Sequence, residues 1–311
     1  MDRLETMSLL LTVVDTGSLS AAGRKLNMPL ATVSRRISDL EVQLKTRLLQ
    51  RTSRRLTLTD SGRDYVQAAR RILEDVDAAE RMAAGEYAAP RGKLVIASYV
   101  AFGRTILVPI ITEFLAAYPD IDVRLRLTDG TVNLLESDVD LALRFGPLAD
   151  SSLKAVKLGT IKQLLCASPA YLEARGMPRA PQDLTTHDCV TFTTLMQPDL
   201  WQFGEESVRV RSRLVLNNVE AAVHAAAGGA GIATGFCYIA IDYLRAGELK
   251  LLPLGAAMPR LPVSLVYAAE GRLPLKLRAF LDFCTPRLKA RVSQAEELIG
   301  RMEGTMLAAA E

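Results

Sequence analysis

The chain has 311 residues, of which 49% are hydrophobic and 23% charged, and its formal net charge is +3. That length allows two or three domains around a sizeable core, and a charge this mild excludes a globally basic, nucleic-acid-coating protein. Cys166, Cys189, Cys237 and Cys284 lie far apart without a CxxC pair, which argues against a zinc site or a disulfide framework and suits reduced thiols in a cytoplasmic protein. Asp2, Arg3 and Glu5 precede the apolar run Leu9 to Val14. A secretory signal needs a basic start and a longer apolar region, and no apolar run approaches the length of a membrane span, so no membrane partner is expected.

The first sixty residues read as a small helical unit. Val13, Val14, Leu19, Ala22, Leu26, Val33, Ile37, Leu40, Leu44 and Leu48 supply its core. Ser18 or Ser20 caps a helix through Leu26, and Asn27-Met28-Pro29 breaks the chain. Val33, Ile37, Leu40 and Leu44 then recur on one face of a second helix, leaving Thr32, Ser34, Arg35 and Arg36 off the buried stripe. In "RTSRRLTLTDSG" the alternation of Leu56 and Leu58 with Thr57 and Thr59 suits a short hairpin, with Arg51, Arg54 and Arg55 near its tip. From Arg24 to Arg55 nine basic residues face two acidic ones, a local balance of +7, whereas residues 56–90 balance at −3. A basic head ahead of a mildly acidic segment is an electrostatic footprint.

Thr59 or Asp60 caps the next helix, predicted to run from Asp60 to Ala88. Its apolar positions Tyr65, Ala69, Ile72, Val76, Ala79 and Ala83 form a narrow seam at alternating spacings of four and three, which asks for a partner helix. Ala88 to Gly92 is a linker. From Lys93 short apolar strands alternate with helices, which predicts a largely parallel sheet. Strands are expected at "KLVIAS", "DVRLRL" and "DLALRF", with helices over Arg104 to Ala117 and Val132 to Ser137. A second set follows: a long β run through "LGTIKQLLCASP", a helix after Pro169, strands near 190–193 and 208–216, a helix over Val219 to Ala227, a strand at "GIAT" and a helix over Cys237 to Arg245. "LPVSLVYAA" and the helix Leu275 to Leu288 could return to the first sheet, giving two lobes joined by two crossings. No fold is assigned to the polar, Ala-rich stretch after Arg291.

A helix pair split by a short turn can lay its second helix in the DNA major groove. Ser34 and Arg35 on its first turns then reach base edges, and Arg51, Arg54 and Arg55 on the hairpin hold phosphates. The rival is a helical bundle whose arginines are merely solvated.

"ETMSLLLTVVDTGSLSAAGRKLNM" followed by "ATVSRRISDLEVQLKTRLLQRTSRRLTLTDSG" resembles the N-terminal domain of LysR-type transcriptional regulators. "FLAAYPDIDVRL", "DVDLALRFGPLADSSL", "LCASPAYLEARGMPRAPQDLTTHDCV" and "GGAGIA" look like the effector-binding domain of the same family. The resemblance covers about residues 1 to 288. It implies an α+β multidomain chain with a winged helix-turn-helix at 1–59, a dimerising linker helix at 60–90, and a two-lobed α/β effector domain at 91–290 like type 2 periplasmic binding proteins. Lobe 1 would span about 91–160 and 267–290, lobe 2 about 161–266, and a tail 291–311. Implied partners are double-stranded DNA carrying an interrupted inverted repeat, a small-molecule effector of anionic character, and further copies of the chain as a homodimer or homotetramer. No enzymatic activity and no cofactor are implied. The DNA-contacting set is Ser18, Thr32, Ser34, Arg35, Arg36, Arg51, Arg54 and Arg55. The chain departs from the family pattern at Leu30 and Ala31, where many members carry Gln-Pro, and after Ala233, where Thr234 and Gly235 replace an apolar residue and Pro.

In two-lobed α/β domains a ligand lies in the crevice at the strand ends. Ser98, Tyr99, Ala101 and Phe102 follow the first strand and open a helix, whose N–H groups favour a carboxylate. Thr128 and Phe145 after the next strands, with Thr191 and Thr234 from the other lobe, complete the candidate effector site. Two other classes are weighed. A dinucleotide enzyme would need strand-glycine-helix order, but "GGAGIATG" comes after an Ala-rich helix and before a strand, and only His187 and His224 are available for acid–base work. A secreted solute-binding protein would explain the lobes but not the basic head. Cys166 or Cys237 could serve as a redox sensor, but Cys237 lacks flanking basic residues to activate it.

Overall fold

Apolar side chains at helical spacing build the first unit of the chain. The computed structural model describes residues 2–51, 56–83, 89–130, 139–148, 153–193, 197–254, 258–268 and 273–308. It divides into one unit reaching Ala89 and one beginning at Pro90. In the first, α1 (Arg3–Thr16) starts where the Asp2 carboxylate accepts from the Leu4 N–H at 2.9 Å and stops at left-handed Gly17. α2 (Leu19–Lys25) is capped by Ser18, whose hydroxyl accepts from the Ala21 N–H. α3 (Leu30–Leu44) follows Pro29. β1 (Leu49–Arg51) pairs antiparallel with β2 (Leu56–Leu58), and α4 (Asp60–Ala83) follows. The hairpin tip, residues 52–55, and the predicted helical residues 84–88 lie outside the described residues.

The core of this unit holds Val13, Ala22, Val33, Ile37, Leu40 and Leu48 as the sequence suggested, and also Leu9, Leu10 and Val66. Leu26 and Leu44 are instead 38% and 37% exposed. Each stands at a helix end, where the bundle no longer covers the helix. Glu41 on α3 accepts from the N–H groups of Leu48 and Leu49 at 2.8 and 2.9 Å, so the helix sets where the hairpin begins. Thr59 caps α4 by accepting from the Gly62 N–H at 2.9 Å. Gly62 needs its missing side chain, because a Cβ there would lie 2.0 Å from the Leu48 carbonyl oxygen.

The second unit opens with β3 (Gly92–Ser98). A continuous helical stretch follows: α5 (Val100–Phe102), a π turn over Gly103–Leu107, and α6 (Val108–Ala117). By length and composition this stretch could cross a membrane, contrary to the expectation from sequence that none would. Its Phe102, Leu107, Ile110 and Phe114 are buried in the domain, as in the core helix of a folded protein. Next come β4 (Ile121–Leu127), β5 (Leu141–Phe145) and the long β6 (Leu153–Ala167). The predicted helix at 132–137 lies outside the described residues. α7 (Pro169–Arg175), a 3-10 turn over Pro181–Thr186, β7 (Asp188–Phe192), β8 (Leu200–Phe203), β9 (Glu206–Arg209) and β10 (Arg211–Leu216) follow. Then come α8 (Val219–Ala227), β11 (Ile232–Phe236), α9 (Cys237–Arg245), β12 (Lys250–Leu251), β13 (Arg260–Ala268) and α10 (Leu275–Ala308).

The strands line up as β10-β7-β11-β6-β13-β5-β3-β4. β3, β4 and β5 are mutually parallel, as are β7, β10 and β11. The sheet is not parallel throughout. β6 and β13 are the two crossings and run antiparallel to each other and to their neighbours. The first half of β6 pairs with β13 and its last residues pair with β11, so one strand serves both lobes. α10 runs well past Leu288. Val292, Ala295 and Ile299 extend its buried face, and Glu296 accepts from the Thr160 hydroxyl on β6 at 3.0 Å. The glycines of "GGAGIATG" end α8 and enter β11, helix before strand, which is the reverse of a dinucleotide fingerprint.

All four cysteines are free and buried. Burial pushes the thiols of Cys166, Cys189 and Cys284 up to about 12 and that of Cys237 up to about 11. The native protein is therefore expected to resist a chromophoric thiol reagent at mildly alkaline pH and to react fully once unfolded; rapid reaction of one native thiol would contradict this. Gly62→Ala is expected to destabilise the head by roughly 1–3 kcal/mol through overpacking against backbone, read as a lowered urea midpoint by circular dichroism.

Candidate nucleic-acid and effector sites

α3 shows two faces. Val33, Ile37 and Leu40 are buried, whereas Arg35 is exposed and Thr32 and Ser34 are half-buried. The exposed start of the helix is apolar: Leu30 is 51% exposed and Ala31 stands open beside it. Arg36 is engaged within the head, donating to Glu5 on α1 at 3.1 Å. Sequence spacing could not show this, since the partner lies far away in the chain. Ser18 caps α2, and its Oγ is 2.9 Å from that of Ser20. Arg24, Lys25, Lys45 and Arg47 are exposed. The side chain of Arg51, and Arg54 and Arg55 entirely, lie outside the described residues.

The C-terminal ends of the two parallel strand sets face each other in the second unit, and aromatic rings fill the gap. Tyr99 stacks on Phe145 with centroids 4.5 Å apart. Phe145 meets Phe236 edge-on at 5.9 Å, and Phe236 stacks on Tyr238 at 6.1 Å. Phe192 meets Phe236 at 6.3 Å, and Phe102 packs behind against Phe145 and Tyr238. The cavity left at the centre has a volume of about 10 Å³, at the threshold for one water.

Among the sequence candidates, Tyr99, Ala101 and Phe145 line this cavity. Ser98 is buried and its hydroxyl donates to the Tyr99 carbonyl at 3.2 Å. The Thr128 hydroxyl accepts from the Gly130 N–H at 3.1 Å. Thr191 is buried with its Oγ1 3.0 Å from Ser212 Oγ, and buried Thr234 is not part of the lining. The remaining lining residues, Asp129, Phe192, Val219, Phe236 and Tyr238, were not singled out from sequence. Strand alternation could have pointed to Phe192, because it faces opposite to Thr191.

Two polar groups stand out in the cavity. The N–H at the start of α5, expected to hold an effector carboxylate, already donates to Asp129 at 3.1 Å from Val100. The same carboxylate accepts from Asn218 Nδ2 at 2.5 Å, and Asn218 in turn caps α8 of the other lobe. Among the described residues the buried Tyr238 hydroxyl has no hydrogen-bond partner. Burial, with Asp129 among the nearby negative groups, holds its phenol well above the ordinary value. Leaving such a group unpaired costs roughly 1–3 kcal/mol. Beside the cavity Arg104 pairs with Glu220, a second tie between the lobes.

A wider cleft of about 420 Å³ lies at the opposite, N-terminal ends of β7 and β10. There Asp188 accepts from Arg213 at 2.9 Å, with Arg175 and Arg211 at 3.7 and 3.9 Å. The hydrogen bond from Arg213 holds its carboxyl below the usual range. His187 lies against Tyr171 and His224 against Tyr243, at 3.2 and 3.1 Å. Among the described residues no group of His, Cys, Asp or Glu is placed to hold a metal ion.

Comparison with known proteins joins the two units. Residues 4–63 match the model of the bacterial regulatory helix-turn-helix protein, lysR family, and residues 88–289 match the LysR substrate binding domain. The chain is 34% identical over 289 residues to an HTH-type transcriptional repressor of Pseudomonas aeruginosa, covering 91% of each chain. It is 31% identical to the transcriptional activator AaeR of Escherichia coli, covering 97% of this chain and 99% of that one. The structure of CrgA, a LysR-type transcriptional regulator from Neisseria meningitidis, superposes with a TM-score of 0.60 at 32% identity, covering 91% of this chain and 98% of that one. A helix-turn-helix head, a long seamed helix and a two-lobed domain, in this order and over this length, are those of a non-enzymatic, DNA-binding transcription regulator with an effector domain, and the chain belongs to the LysR family.

Proposed function

We propose that α3 reads DNA in the major groove and that the interlobe cleft of the second unit takes the effector. The observation that carries the first part is the division of α3 between a buried face and an exposed one bearing Arg35. Arg35 is the direct reader, with Thr32 and Ser34 beside it. Ser18 and the hairpin arginines Arg51, Arg54 and Arg55 bear on the phosphates. Arg36 joins them only by leaving Glu5. The effector contacts run through Tyr99, Ala101 and Phe145, with Ser98, Phe102, Thr128, Thr191 and Thr234 shaping the walls. Effector binding shifts the lobes because its affinity differs between their arrangements, and the change alters the spacing of paired heads on an interrupted inverted repeat in the cytoplasm.

Pairing comes through α4. Tyr65 and Ala69 pack in the head, but Ile72 is 40% exposed and Ala79 is open, so the outer part of the seam is not covered within its unit. A second copy of the same helix covers it, giving a dimer or a dimer of dimers.

Arg35→Ala is expected to cost about 1–3 kcal/mol of specific operator affinity and to relax base preference at one position of each half-site, measured by mobility shift on a set of single-base operator variants. Uniform loss across all variants, or equal loss of effector binding, would refute its role as reader. Ile72→Glu is expected to shift the chain towards monomer in light-scattering chromatography with its circular dichroism intact; an unchanged mass would remove α4 from the assembly.

A further inference from the structure

The proposal below rests on the reading of the interlobe cleft as the effector site and concerns the class of ligand it takes. Its lining is unusual in charge. Five rings, Tyr99, Phe145, Phe192, Phe236 and Tyr238, surround the cavity, and Asp129 is the one charged side chain among the lining residues described. Among the described residues Arg104 is paired with Glu220, and Arg144 lies outside the lining and donates to the Tyr99 hydroxyl. The helix-start N–H of Val100, the position best suited to an anion, is filled by Asp129 itself. An incoming carboxylate would have to displace Asp129 into a box of rings or lie beside it as a like charge. Both disfavour an anion. The opposite charge meets the opposite conditions. The faces of aromatic rings attract cations, and the Asp129 carboxylate, with two donors already bound, retains lone pairs. The hydroxyl of Tyr238, a lining residue, is buried with no partner among the described residues and offers an oxygen to a ligand N–H.

We propose that the cleft recognises a small organic cation, an ammonium group on a flat apolar body, with the ammonium held between Asp129 and the Tyr238 hydroxyl and the body among the rings. The same contact supplies the regulation. Asp129 ties Val100 of the first lobe to Asn218 at the cap of α8 in the second. A cavity of about 10 Å³ admits no such ligand until the rings part. The cation takes lone pairs from the Asn218 side of Asp129 and exchanges an interlobe tie for a ligand contact, so it binds the opened arrangement over the closed one.

The test is calorimetric titration of the full chain with three ligands of one shape: benzylamine, benzyl alcohol and benzoate. Benzylamine is expected to bind at least about tenfold more tightly than benzoate, with benzyl alcohol between them. Asp129→Asn keeps an acceptor for the Val100 N–H and removes the charge, so it should abolish the preference for the amine. Tyr238→Phe removes only the hydroxyl and should weaken the amine several-fold. Both variants are checked by circular dichroism, and the wild-type ranking stands without them. Benzoate binding as tightly as benzylamine, and weakened by Tyr238→Phe, would overturn the cation class while keeping the cleft as the effector site. An amine preference that neither variant alters would overturn both, and no binding by benzylamine would overturn the cation class.

Discussion

The antiparallel ladder of β6 against β13 carries both lobes of the effector domain. Because β6 is shared, with its first half in one lobe and its end in the other, the lobes have one strand in common. The parallel strands of each lobe hang from this ladder with their C-terminal ends turned towards each other. Side chains at those ends must either meet or leave a cleft. Here they are rings, and they meet: Phe145 from one lobe against Phe236 from the other, with Tyr99 and Tyr238 stacked outside them. The seat of the ligand is therefore a consequence of topology, and its closed state a consequence of which residues end the strands.

Regular elements were legible where burial imposes a period. Val219–Ala227 and Cys237–Arg245 have the bounds the sequence suggested, because each is a short apolar helix between turn residues. α10 was cut short at Leu288 since its later apolar positions, Val292, Ala295 and Ile299, are sparse among charges. They keep helical spacing all the same, and what holds them, β6, is far away in sequence. Site residues were legible only as far as strand ends could be. Tyr99 and Phe145 follow from the rule that ligands sit at the C-terminal ends of parallel strands. Asp129 and Tyr238 could not be found that way, because their meaning lies in partners across the cleft, one tied to Asn218 and one with none. The pairing of Arg36 with Glu5 was hidden for the same reason.

The head makes its own compromise. α3 begins with exposed Leu30 and Ala31 where many LysR regulators have Gln-Pro, so its first turn offers methyl groups and not amide donors. Apolar side chains can contact a thymine methyl, but they do not distinguish bases by hydrogen bonding. With Arg36 engaged at Glu5, the readout proposed for α3 narrows towards Arg35 and its half-buried neighbours. The surrounding basic residues then contribute affinity that depends on salt and on groove shape. On the proposed reading such a head gains from being paired, because two weak readers at fixed spacing recover the specificity that one lacks.

The balance in the cleft decides whether pairing can be regulated. Ring pairs of the kind that close it contribute about 0.5–1.5 kcal/mol each beyond the area they bury. Against them stands one buried hydroxyl without a partner, at roughly 1–3 kcal/mol. The closed arrangement thus carries a hydroxyl unpaired among the described residues, which opening or a ligand relieves. A coupling free energy of about 1–3 kcal/mol is what allosteric regulators typically use, and a single satisfied hydroxyl lies in that range. Were Tyr238 hydrogen-bonded within the closed cleft, the rings would hold it shut more firmly and an effector would have less to gain. On the proposed reading the unpaired hydroxyl is part of the switch, because it lowers the cost of parting the lobes for a small molecule that satisfies it.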